Sequence, residues 1–119
     1  MAKTTKKDFE LFKKECKKWI DILGLKDWHI WYEHGGTDEG NIAEFITDSA
    51  GRGCSIWFAD EVAGEKTNHD IKSTAFHEIM EIYMIDLRNM ALESCSRNRV
   101  DGATHRIVRM LENVLFPKY

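Results

Sequence analysis

The 119 residues carry a net charge of −3, with 43% hydrophobic and 31% charged side chains and a single proline. A chain of that size is expected to form one domain over residues 1–119, burying roughly two thirds of its unfolded surface, and the composition excludes extended disorder beyond a flexible tail at 1–7. The acidic balance argues against nucleic-acid binding by phosphate neutralisation, and no apolar run reaches the roughly 18 residues of a membrane span.

The tail leads into DFELFKKECKKWIDILGL, where Phe9, Phe12, Cys16, Trp19, Ile20 and Leu23 recur at helical spacing. Asp8 can serve near the N-cap and Gly24 as the C-cap. Lysines and acids alternate along this helix, which reads as a solvated face rather than a basic patch. The lysine-rich start is followed by an amphipathic segment and not by a signal-peptide core, so a cytoplasmic protein is expected. Cys16, Cys54 and Cys95 are odd in number and lack C-x-x-C spacing, which fits a reducing compartment and speaks against a thiolate zinc site.

WHIWYEH, with aromatic and β-branched residues in alternation, predicts a strand. GGTDEGN reads as a loop or wide hairpin turn. NIAEFITDS and GCSIWFAD read as two further strands joined near AGRG, with Gly51 and Gly53 suited to a tight turn. From Asp70 the period changes. DIKSTAFHEIMEIYMIDLRNMALES has no glycine or proline, and Thr67 with Asp70 can form its capping box. After the polar segment SCSRNRVDG, ATHRIVRMLENVLF predicts a last helix that Pro117 ends. The expected architecture is α+β: an N-terminal helix, a three-stranded antiparallel sheet, a long helix and a C-terminal helix, with the helices on one face of the sheet.

The long helix contains AFHEIMEIYM, three polar residues in an apolar stretch. His77 and Glu81 are four apart and share a face, within reach of one ion, while Glu78 is rotated by about 100°. Hydrolytic zinc sites of the H-E-x-x-H type use this geometry, with two ligands one turn apart and the intervening glutamate as general base. Glutamate at the last position still offers a ligand oxygen at about 2.0–2.2 Å. Apolar residues occupy nearly every direction around this segment, and a divalent cation would offset the cost of burying carboxylates there. A third ligand is required. Of the five histidines, His105 in the first turn of the last helix is the best placed, because an antiparallel return brings it back alongside the long helix. His69 lies too near the start of that helix, and His29 and His34 belong to a strand. Asp86 or Glu112 would orient a ligand imidazole. Arg97, Arg99 and Tyr83 are candidate oxyanion donors.

STAFHEIMEIYMIDL followed by THRIVRMLENVLF resembles the small metallopeptidases of tailed phages and prophages, relatives of the SprT-like minimal zincins. LGLKDWHIWYE and GCSIWFADE extend the resemblance over residues 9–116. It implies a zinc-dependent peptidase with His77 and Glu81 as metal ligands, Glu78 as general base and His105 as the ligand from the last helix. Glu81 departs from the usual second histidine, and a carboxylate-richer set also admits manganese or iron. By the same resemblance, an extended peptide or protein substrate would pair with the strand at 53–60. The alternatives are a metal that only staples two helices, and a phage accessory protein binding a host protein through Trp28, Trp31, Trp57 and Phe58.

Overall fold

The structure, a computed structural model, describes residues 2–37, 40–48 and 50–117. Met1 of the expected tail, Asp38 and Glu39 of the expected loop, and Ser49 at the end of its strand lie outside them. In chain order the elements are β1 (Ala2–Lys3), α1 (Lys6–Leu23), β2 (His29–Gly35), β3 (Ala43–Asp48), β4 (Gly53–Ala59), β5 (Glu61–Val62), α2 (Asn68–Tyr83), α3 (Ile85–Leu92) and α4 (Arg97–Leu115). This is an α+β fold, as the periodicities predict. Among the described residues no helix is long and apolar enough to cross a membrane.

The sheet is not the expected antiparallel meander. Its order is β2-β4-β3, with β3 antiparallel to β4 and β2 parallel to it. Alternation identifies strands but says nothing about their partners. β3 runs opposite to β2, as a meander requires, but lies two places away from it, and β4 fills the position between them. The hairpin between β3 and β4 closes on Arg52, whose φ of 53° takes the left-handed role expected of its glycine neighbours. β4 places Cys54, Ile56 and Phe58 in the core by its alternation. Both of its edges are hydrogen-bonded, so the strand at 53–60 has no free edge for an extended substrate. The residues expected as a tail are built in. Ala2–Lys3 pairs with Glu61–Val62, and Thr4 Oγ1 lies 2.7 Å from His34 Nε2 and donates to the Ala59 carbonyl.

α1 begins one turn earlier than expected. Thr5 is the N-cap, and Asp8 is the reciprocal partner in its capping box. Such a cap stabilises a helix by about 1 kcal/mol. Gly24 ends it at φ 73°, where a side chain would strain the left-handed backbone. The helix lays Phe12, Cys16 and Trp19 on the sheet and α2, with Phe12 stacked on Phe58 and Trp19 edge-on to Phe76, each at 4.8 Å between ring centres.

α2 starts at the Thr67–Asp70 capping box, as predicted. It does not run on for more than twenty residues. The Met84 amide is shared between the carbonyls of Met80 and Glu81, and α3 departs from that point with no glycine or proline to mark it. α4 starts at Arg97, capped by Ser96, well before the expected Ala103. The polar run and Gly102 hide a helical turn that Val100 anchors in the core. Phe116 closes the far end against Phe76 and Trp19.

Candidate metal centre

α2–α3 and α4 pack antiparallel, and each turns a polar stripe toward the other. Beyond the break at Met84, Arg88 on α3 extends the row that His77 and Glu81 begin on α2, where at about 100° per residue the two lie within about 40° of each other. Asp101, His105 and Glu112 lie within about 40° of one another on α4. The pairing runs in opposite directions along the two stripes and makes three rungs. His77 Nδ1 is 2.6 Å from Glu112 Oε1, His105 Nε2 is 3.2 Å from Glu81 Oε1, and Arg88 donates to Asp101 at 2.5 Å.

The first two rungs meet. His77 Nε2 is also 3.5 Å from Glu81 Oε1, so the Glu81 carboxylate joins both imidazoles. Ligand atoms of His77, Glu81 and His105 all lie within 4.8 Å of one another, and this group can hold a metal ion. The donor chemistry fits. Tetrahedral ligands with bonds of about 2.0–2.1 Å are separated by about 3.3 Å, close to the two Glu81–imidazole distances. Glu112 holds the other nitrogen of His77, which points Nε2 at the group and makes it the better donor. His105 therefore joins His77 and Glu81 as the sequence suggested, but from the middle of α4 and not its first turn. Its side chain is 52% exposed, leaving the group open on that side.

Glu78 is buried, 7% exposed, and lines a cleft of about 310 Å³ with His77, Glu81, His105 and the β3 residues Ala43, Glu44 and Phe45. Burial, then the nearby Glu81 charge, raises its pKa to about 8, with His77 acting in the opposite direction. The His77 pKa is raised to about 9, first by its hydrogen bond to Glu81, against the cost of burial, and further by Glu112. Without a cation, this cluster holds protons that free side chains release. A dication binding there competes with those protons.

Other expected participants lie elsewhere. His29 stacks near Trp31, His34 holds the N-terminal strand, and His69 meets Phe116. Asp86 pairs with Arg52 at 2.8 Å, so Glu112 alone takes the orienting position. Arg97, Arg99 and Tyr83 do not line the clefts at the metal group. Arg88 does, in a polar cleft of about 370 Å³ that it shares with Glu81, Asp101 and His105. Its spacing from His77 and Glu81 could have revealed it. The β3 wall had no such signal, because it depends on strand order. No known family, curated protein or solved structure matches the chain.

Proposed function

We propose that this protein is a small zinc-dependent peptidase of minimal-zincin type, encoded by a phage or prophage and acting on proteins in a bacterial cytoplasm. The observation that carries the reading is the convergence of His77, Glu81 and His105 beside a buried Glu78. Two imidazoles and one carboxylate form a ligand set used by catalytic zinc, with Glu112 as the partner that such a histidine requires. An ion held there supplies Lewis acidity, acidifying water toward a pKa of about 7 and polarising a carbonyl.

The rest belongs to the chain. Glu78 accepts the proton of the attacking water and returns it to the leaving amine. Its buried position keeps that carboxylate basic. β3 is the better substrate strand than β4, because it is an edge strand of the described sheet and Ala43–Phe45 line the cleft. An extended peptide can pair with that edge and bring its backbone past Glu78.

Protein purified without chelators is expected to carry about one equivalent of zinc by elemental analysis. Glu78→Gln is expected to keep the metal and lose roughly 10²–10⁴-fold in peptide hydrolysis. Metal retained with no hydrolysis in the parent chain would leave only a helix-stapling ion. Less than about a tenth of an equivalent of any transition metal would defeat both metal readings. The host-binding alternative loses two of its four aromatic anchors, since Trp28 and Phe58 are in the core.

A further inference from the structure

α4 has a second face that the metal group does not use. Opposite the polar stripe, Ala103, Ile107, Met110 and Val114 repeat at helical spacing and run about 16 Å along the axis. Met110 and Val114 are well exposed, as are Leu87 and Met90 on α3. Between the two helices lies a concave groove of about 410 Å³ with an apolar floor that includes Leu87, Ala91, Ala103 and Ile107. Gly102 lines it too. Glycine in mid-helix costs about 1 kcal/mol relative to alanine, and here it gives the groove a position with no side chain, across which the Arg106 guanidinium lies.

The groove has a charge. Arg88, Arg99 and Arg106 line it, Arg109 extends the row beside Met110, and no carboxylate lines this groove or its continuation. Arg88 is taken up by Asp101, but Arg99, Arg106 and Arg109 make no ion pair among the described residues. An apolar trough edged by unpaired guanidinium groups fits a rod that is apolar on one face and acidic on its flanks. The two long exposed helices of a second copy do not supply one: its α4 carries the same arginines, and the exposed side of its α1 is rich in lysine. The apolar surface also extends beyond the groove along α4, farther than a small ligand would cover.

We propose that the α3–α4 groove is a docking site for an amphipathic helical segment of another protein, with acidic residues flanking its apolar face. The segment seats two or three large apolar side chains on the floor, and its carboxylates pair with Arg99, Arg106 and Arg109. The groove shares Arg88 and Thr104 with the polar cleft beside Glu81 and His105, so a protein docked there lies next to the metal group. The docking itself does not depend on hydrolysis.

The test uses the full chain, isotopically labelled, and a synthetic helix with leucines on one face and glutamates on its flanks. Saturable amide shift changes confined to α3 and α4 are expected. Binding should weaken by about tenfold or more when lysines replace the flanking glutamates, and equally in the double variant Arg99→Glu, Arg106→Glu. Ala103→Trp, which fills the groove without changing charge, is expected to abolish binding while circular dichroism shows an intact fold. Equal binding of the lysine-flanked helix overturns the proposal. So do shift changes elsewhere, or adsorption to anionic phosphatidylglycerol vesicles with no binding of the helix.

Discussion

Glu15 and Glu78 are the two most buried carboxylates of the described chain, each 7% exposed, and their surroundings differ sharply. Glu15, on α1, lies 3.5 Å from Lys18 and 4.0 Å from Lys72, so its charge is answered by two cations, one of them on α2. These contacts are ion pairs and not close hydrogen bonds, and Glu15 Oε2 has no hydrogen-bond partner. No lysine or arginine lines the cleft of Glu78, whose nearest charges are Glu81, Glu44 and His77. Equal burial thus serves two ends. Where the fold supplies its own cations, a carboxylate ties helices together. Where it supplies further acids and imidazoles, the carboxylate becomes a proton acceptor whose ionisation depends on what binds beside it.

The largest way to expose this contrast is pH. In chelator-treated protein Glu78 is raised from an ordinary 4.5 to about 8, and His77 from 6.5 to about 9. Both shifts mean that the folded chain binds protons the unfolded chain has lost. Stability should therefore fall as pH rises, through the interval from 4.5 to about 8 for Glu78 and from 6.5 to about 9 for His77. Glu78→Gln removes the first part only. The variant should gain on the parent through that interval, by a few kcal/mol at its upper end, and run parallel to it above. Denaturant unfolding across this range measures the difference. A parallel course at every pH would mean that Glu78 is no more strained than a surface acid.

Next in size is Glu112, which separates ligand from support. Glu112→Gln keeps a hydrogen-bonding side chain against His77 but loses the negative charge that strengthens its Nε2 as a donor. Zinc affinity should fall by about 10–100-fold, with the fold unchanged. Competition with a chelating dye measures it. Asp86→Asn, which touches Arg52 and not the imidazole, should leave affinity where it was.

The difference between these residues also marks what the sequence could tell. His77, Glu78 and Glu81 were legible because helical spacing alone sets which face each occupies. His105 was legible in kind, since an antiparallel neighbour had to return a ligand. Its place in the helix was not, because Gly102 and a polar run disguise the first turns of α4. Strand pairing was the least legible. The alternation in WHIWYEH and GCSIWFAD is the same whether the two strands are neighbours or stand either side of NIAEFITDS, yet that order leaves β3, not β4, at the edge beside the metal group. The break at Met84 left no mark in composition at all.

The smallest effect is expected at Glu15, and it completes the contrast. Glu15→Gln keeps the shape of the side chain and removes the charge that Lys18 and Lys72 share. Both lysines are about half exposed, so water solvates them once the partner is lost, and the penalty should stay at about 1 kcal/mol. Because this term is partly screened, the gap between parent and variant should narrow in high salt. The gap produced by Glu78→Gln arises mainly from desolvation and should persist there. Urea unfolding of both variants at low and high ionic strength separates the two. If the Glu15 gap ignored salt, the lysines would not be what holds that carboxylate, and desolvation would govern Glu15 as it governs Glu78.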